Sequence, residues 1–457
     1  MKDKVVLLYP PYDGPPLGPP LSLLSLAGLL RESGFRVSIL DSAVEQNLEA
    51  ALAAEIQDSL CIGISFLTGP MIRGAVALAE LSRCLQSDVP IVFGGWHSSL
   101  LPEQTLASGK ADVVVRGQGE RTLLEIARCL QDGQTIESIP GLSYRKERRA
   151  MHNPERSPER LNDLPLPAFS MVNFDAYERV SGVRKLPYAS SLGCPYACNY
   201  CTDQVFYERK FNAYPASRVV AEVTDLVSRY RLREVAFLDS NFPVHVRRAV
   251  EIAKGFIDAN VPFEWTFQAS TDLLCRMTDD EVCLLAESGV THMGFGTESA
   301  SEKVLALMNK RHQRIDEMFE TARKANIAGI RVTFNLILGY PEETQEDRIE
   351  TFRVMTEISA EYPNVRFSPN IFTPYPGIPI WPQLKAMGVR EPESLEEWAD
   401  VGLGSNHLPW LQDIDLRNLR HMLTDFLEST NRRKSGIVSR RSLLTGQALA
   451  TAVDEVC

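Results

Sequence analysis

Cys194, Cys198 and Cys201 stand in the stretch LGCPYACNYCTD (192–203) with the spacing C-x3-C-x2-C. Closely spaced thiolates of this kind bind soft metals. A structural zinc site wants four closed ligands, and no fourth Cys or His lies nearby; His245, Cys275 and Cys283 are the closest later candidates. A disulfide would leave one of the three thiols over. Three cysteines in one loop fit a cubane iron–sulfur cluster with one iron open to an outside ligand. Three coincidental thiols or a zinc knuckle are the bland alternatives.

Such a loop must be held by something, and the surrounding pattern is a βα alternation. From about residue 187, strands are expected at 188–193, 234–240, 263–270, 292–298, 331–339 and 365–374, with helices at 217–230, 245–259, 278–288, 301–308, 314–327 and 344–360. Six βα units in a row predict a partial parallel barrel of the TIM type, whose chemistry sits in the carboxyl-end loops. The cysteines directly follow its first expected strand. The first 130 residues alternate as well, with β-branched runs at 5–11, 35–41, 60–66, 89–95 and 111–117 and helices near 21–33, 43–57, 70–86, 98–108 and 119–132. Runs without strict polar alternation suit parallel strands buried on both faces. Five such units predict a doubly wound sheet with ligands at the strand ends. The fold class is therefore α/β. A sheet domain (1–135) leads through a Pro- and Arg-rich hairpin and linker (136–186) to the partial (β/α)6 barrel (187–385), and a helical C-terminal segment (386–457) follows.

Composition narrows the function classes. The 457 residues carry 48 Lys and Arg against 59 Asp and Glu, a net charge of −11, which disfavours a general phosphate-binding surface and hence nucleic acid. No apolar run approaches the roughly 20 residues that span a bilayer; LSLLSLAGLL (21–30) is about half that and reads as a buried helix. Nine cysteines, an odd count, with no export signal at the N-terminus, fit a reducing cytoplasm.

The cysteine spacing, with Tyr200 just before the last cysteine, resembles the radical S-adenosylmethionine superfamily. The resemblance implies that the open iron of a [4Fe-4S] cluster chelates the amino and carboxylate groups of S-adenosylmethionine. GFGTESASEKVLALMNK (294–310) is similar to the family's fourth-strand motif. There Glu298 would bind the ribose hydroxyls, with Ser299 beside it and Lys310 as a ribose or carboxylate contact. A Glu ending a strand could equally cap the next helix. FLDSNF (237–242) ends the second strand, where Asp239 and Asn241 are candidates for the methionyl amino end. LILGYPEET (336–344) matches the fifth-strand pattern, in which Gly339 would let backbone approach adenine. Gln268 and Arg331 are expected at the barrel mouth or lumen, as contacts or as hydrogen-bonded interior groups.

The N-terminal half resembles the cobalamin-binding domains fused to radical enzymes, through PPYDGPPLGPPLSLLSLAGLLRESGFRVSILD (10–41) and the segments VFGGWHSSLLPEQTL and ADVVVRGQGERTLLEI. That resemblance implies a Rossmann-like domain with the corrin over the strand ends. Its contacts would be Gly94 and Gly95, Ser65 and Thr68, and Gly117, Gly119 and Glu120, with Tyr9 and Tyr12 near a Pro-rich collar. Glu120 could instead serve the helix dipole. Trp96 would face the corrin or pack in the domain interface. His97 has two readings: an axial cobalt ligand, or a hydrogen-bonding residue for the nucleotide tail or the helix turn. The chain lacks Asp-x-His-x-x-Gly, so the second is preferred. A lack of Gly-x-Gly-x-x-Gly after the first strand weakens a dinucleotide reading.

Together the resemblances imply a cobalamin-dependent enzyme that methylates an unactivated carbon through methylcobalamin and a 5′-deoxyadenosyl radical. The substrate would be a small molecule, lipid or natural product, and the electron donor a flavodoxin or ferredoxin; the chain would act as a monomer or weak oligomer. A cobalamin-dependent cyclase or rearrangement enzyme is the alternative, and a non-catalytic metal-binding module is the reading from another class. A methylthiotransferase would need a second cluster, but Cys61, Cys84 and Cys129 sit in apolar patterns and read as core thiols.

Overall fold

The computed structural model describes residues 2–11, 18–147, 149–402, 408–411, 417 and 419. Two sheets dominate it. The first runs β2 (Arg36–Asp41), β1 (Lys4–Tyr9), β3 (Ser59–Ser65), β4 (Ile91–Gly94), β5 (Val113–Val115), β6 (Leu142–Lys146), β7 (Arg149–His152). Its first five strands are parallel, and the hairpin β6–β7 extends one edge antiparallel. In β1, the Val-Val-Leu-Leu run is fully buried because helices cover both faces. The expected helix over 98–108 is two, Trp96–Leu100 and Pro102–Ala107, since Pro102 lacks the N–H that a continuous helix needs.

In the second half, strands β8 (Lys185–Tyr188), β11 (Glu234–Phe237), β12 (Glu264–Ala269), β13 (Val290–Glu298), β14 (Arg331–Leu338) and β15 (Val365–Ile371) pair in chain order, all parallel. A two-residue ribbon, β9 (Ser191–Leu192) with β10 (Asn212–Ala213), closes the base of the cysteine loop. The first barrel strand thus starts earlier than expected and ends at Tyr188. Beyond it, Ser190 and Ser191 leave the ladder to bond Asp239. Pairing stops at β8 and β15, so the barrel is open, as six strands without closure must be.

The linker binds the halves together. One apolar cluster runs from β1 and β3 through Leu161, Leu164 and Phe169 into the barrel. The linker lies on the helix Leu21–Glu32, where Ala168 N–H donates to Leu24 O (2.9 Å). Most of the expected C-terminal helical segment lies outside the described residues; its described part holds the helix Leu395–Trp398, preceded by the helix Trp381–Ala386 at the end of the expected barrel span. Among the described residues no helix is long and apolar enough to cross a membrane.

Gly28 shows how tightly the linker is seated: a Cβ there would meet Leu166 O at 2.7 Å. Gly28→Ala should cost about 1–3 kcal/mol by forcing the linker outward, read as a lower urea midpoint. An unchanged midpoint would mean that the linker is loosely held.

Candidate active site

The cysteine loop is fastened at both ends. At its start, the buried Asp239 carboxylate accepts from Ser190 N–H (2.8 Å), Ser190 Oγ (2.6 Å) and Ser191 Oγ (2.5 Å). Across the loop, Asn309 Nδ2 donates to Ala197 O (2.7 Å), Asn199 Nδ2 to Leu307 O (3.1 Å) and Asn199 N–H to Met308 O (2.9 Å). Asp239 therefore spends both oxygens on the loop's backbone and hydroxyls, which corrects its expected role as a cofactor contact. Asn241 is better placed. Its Nδ2 donates to Ser270 Oγ (3.2 Å), and its Oδ1 is buried without a partner.

Burial raises the pKa of all three thiols, Cys201 to about 12. The sulfurs also feel one another's charge, so ionising them together calls for bound positive charge. Among the described residues no three His, Cys, Asp or Glu side chains converge on a single-ion site. A cubane takes each thiolate on a separate iron and needs no common point, so the donor set fits a cluster.

Beside the loop, Tyr200 OH donates to Glu298 Oε1 (2.8 Å), and Lys310 Nζ lies 3.5 Å from that oxygen and 3.3 Å from the Tyr200 hydroxyl. Burial alone would depress the Lys310 pKa, but Glu298 and then the cysteine sulfurs hold it above the usual value. Glu298 adopts φ +62°, a costly region for a side chain with a Cβ. Its carboxylate lies over Gly296, where a Cβ would meet Oε1 at 2.5 Å. A strained acid aimed back over a glycine of its own strand is a presented group, and a plain helix cap has no need of it. Gln268 also faces the lumen, over Gly294.

Three expected cofactor contacts stand elsewhere. Ser299 is fully buried and turned to Thr351 Oγ1 (3.4 Å) and Ser301 N–H (3.1 Å), away from the lumen. Arg331 begins β14, so it sits at the amino end of the barrel, exposed, with Nε near Thr291 O (3.4 Å). Gly339 does permit a close approach, but this chain's own Leu411 makes it: a Cβ would meet Leu411 Cδ1 at 2.8 Å, and Trp410 Nε1 donates to Gly339 O (3.0 Å). The sequence reading also missed a stacked pair that ties the loop to the segment after the fourth barrel strand. Tyr196 lies on His312 (ring centroids 3.5 Å apart, planes 9° apart) and donates to Asp272 Oδ2 (2.6 Å). The position of Tyr196 between two cysteines was the signal available.

A cavity of about 690 Å³ opens between the strand ends of the first sheet and the barrel mouth. Tyr9, Ser65, Gly94, Gly95, Trp96, Gly117, Gly119 and Glu120 all line it, and Ser191, Leu192 and Ser240 close it from the cysteine-loop side. At Gly94 and Gly117 a Cβ would meet nothing within 4 Å, so bare backbone there leaves room for a flat ring to approach. Burial raises the Glu120 pKa. The linker supplies Leu161, Leu164, Pro165 and Pro167, which were not anticipated. Trp96 takes the interface role as well, stacking on Phe206 across the two halves (4.7 Å, 10°). Tyr12 lies outside the described residues.

Thr68 and His97 do not line this cavity, which corrects Thr68 as a corrin contact and the ligand reading of His97, whereas a hydrogen bond at the helix turn, the preferred reading, agrees with its contact to Thr68. His97 is fully buried between Phe66 (5.9 Å) and Trp398 (6.0 Å), with Nδ1 3.0 Å from Thr68 Oγ1. Desolvation lowers its pKa to about 4. A histidine depressed in the fold contributes stability that is full above its unfolded value and is lost as pH falls through about 6.5 toward 4. His97→Gln, which keeps a hydrogen-bonding group for Thr68, should flatten that loss by up to about 3 kcal/mol in denaturant titrations at pH 7 and pH 4. An unchanged pH slope would contradict the burial account. The absorption spectrum of bound cobalamin should be the same in both proteins.

Comparison with known proteins follows the same division. Residues 4–127 match the family model for the B12 binding domain, and residues 188–355 match that for the Radical SAM superfamily. An uncharacterized methyltransferase, PH0819 of Pyrococcus horikoshii, is 29% identical over 391 residues, covering 83% of this chain and 82% of that protein. The anaerobic magnesium-protoporphyrin IX monomethyl ester cyclase of Rubrivivax gelatinosus is 22% identical over 80% of this chain and 66% of its own length. Among solved structures, the radical S-adenosylmethionine methyltransferase TsrM from Kitasatospora setae, with cobalamin and a [4Fe-4S] cluster bound, superposes with a TM-score of 0.72 at 19% identity, covering 86% of this chain and 76% of that one. The chain thus carries a B12 binding domain followed by a Radical SAM domain, matched in that order.

Proposed function

We propose that this protein is a cobalamin-dependent radical S-adenosylmethionine methyltransferase acting on carbon. One observation carries the reading: the cavity at the sheet's strand ends is closed by residues that flank the cysteine loop, so two cofactor sites face each other across one gap. When bound, the reduced cluster supplies the electron that cleaves S-adenosylmethionine, and cobalamin supplies the transferable methyl group.

The chain's own residues bind and orient. Cys194, Cys198 and Cys201 hold the cluster. Glu298, with Tyr200 and Lys310 around one oxygen, offers its second oxygen to the ribose hydroxyls. Asn241, whose Oδ1 has no protein partner, accepts from the methionyl ammonium. Gly94 and Gly117 leave the ring space, and the linker's Leu161 and Leu164 cover its edge. The reading needs a one-electron donor such as a flavodoxin or ferredoxin, and it places the enzyme, as a monomer or weak oligomer, in the cytoplasm.

The cyclase relative motivates a second reading with the same cofactors and no net methylation. A methyl-deuterated S-adenosylmethionine given to the reduced, cobalamin-loaded protein separates the two. Label recovered on cobalamin supports the methyltransferase; label confined to S-adenosylmethionine and the methionine released from it favours the cyclase. Anaerobic reconstitution should give about four irons per chain, lost in the triple Cys→Ala variant. Glu298→Gln should weaken S-adenosylmethionine binding by about tenfold or more while keeping its iron, as expected for a lost charge-assisted hydrogen bond. Unchanged binding would remove Glu298 from the site.

A further inference from the structure

A second cavity, of about 600 Å³, lies next to the first. Its walls come from three parts of the chain. Leu67, Thr68, Met71, Trp96 and Leu100 belong to the N-terminal domain, Thr202 directly follows Cys201, and Tyr375, Pro376 and Val401 follow the last barrel strand. Trp96 lines both cavities. An occupant of the second one would therefore touch the wall of the cobalamin cavity on one side and the cysteine loop on the other.

We infer that this cavity is the substrate site and that it takes a neutral, predominantly apolar small molecule. The inference rests on the methyltransferase reading and adds the substrate class to it.

The charge inventory selects that class. Among the described lining residues only Arg73 and Asp400 are charged, and they pair with each other at an exposed rim. The Thr68 hydroxyl is already held by His97 Nδ1 (3.0 Å). A carboxylate, phosphate or ammonium drawn inside would lose its hydration with no counter-charge to replace it. Leu67, 43% exposed, lines both cavities, so the second cavity's wall on that side is apolar. The size suits a single small molecule. The chain's net charge of −11 further disfavours anions.

A matched probe pair tests this: N-phenyl-1-naphthylamine, which is neutral, and its sulfonated counterpart 8-anilino-1-naphthalenesulfonate. Both are titrated by equilibrium dialysis against the cobalamin-loaded, cluster-containing protein, so that the first cavity is filled. The neutral probe should bind at one site per chain, and the sulfonate at least about tenfold more weakly. Val401→Glu and Leu100→Glu, on opposite walls, should each weaken the neutral probe by about tenfold or more, with cobalamin loading, iron content and melting temperature as controls. Equal binding of the two probes, or neutral-probe binding unchanged in both variants, would overturn the substrate class. If the wild-type protein failed to take up cobalamin, the methyltransferase reading would fall instead.

Discussion

The structure depends on how firmly the loop 192–203 is held at the barrel mouth. Three cysteines presented on a slack loop could take up a metal but could not aim it. Here one buried carboxylate, Asp239 from the end of the second barrel strand, receives three hydrogen bonds from Ser190 and Ser191. The segment 307–309 holds the far side through Asn199, Asn309 and three backbone carbonyls. The same segment runs on to Lys310 and thence to Glu298 and Tyr200, so the fastening of the loop and the polar cluster beside it form one connected piece. Removing one acceptor from such a network leaves several buried donors unsatisfied, which costs more than the bonds themselves contribute.

The second requirement is a fixed distance between the halves. A linker could have left the sheet and barrel as separate bodies, yet a single apolar cluster spans both. Trp96, which opens the helix after β4, stacks on Phe206 just beyond the cysteine loop. Trp398 adds a contact from the segment after the barrel, packing on His97 and donating to Gln104 Oε1 (2.9 Å). A radical formed on one side of a gap is useful only if the methyl donor on the other side is already in place, so rigidity here serves the chemistry directly.

Much of this was legible beforehand because it is written in local pattern. Strand and helix periods, the cysteine spacing and the glycines after parallel strands depend on near neighbours in sequence. Orientation was harder to read. Ser299 and Glu298 are adjacent, yet one points to the lumen and the other into a helix packing, because the backbone turns to φ +62° at Glu298. Arg331 was misplaced because a strand's two ends look alike in sequence, whereas only its carboxyl end reaches the mouth. His97 sits in a glycine-rich turn that left a metal ligand open as the less favoured reading, and part of the burial that removes it comes from Trp398, some 300 residues on. The linker's part in the cavity wall was invisible for the same reason: Leu161 and Pro167 look like ordinary loop residues until tertiary contacts are known.

The central claim is that cobalamin and the cluster face each other across one gap. Electron paramagnetic resonance of the protein loaded with cob(II)alamin and a reduced [4Fe-4S] cluster tests it most directly. The account predicts signals broadened or split by mutual spin interaction, lost when the cysteine loop is replaced by alanines. Two independent, unperturbed spectra from a fully loaded protein would contradict it.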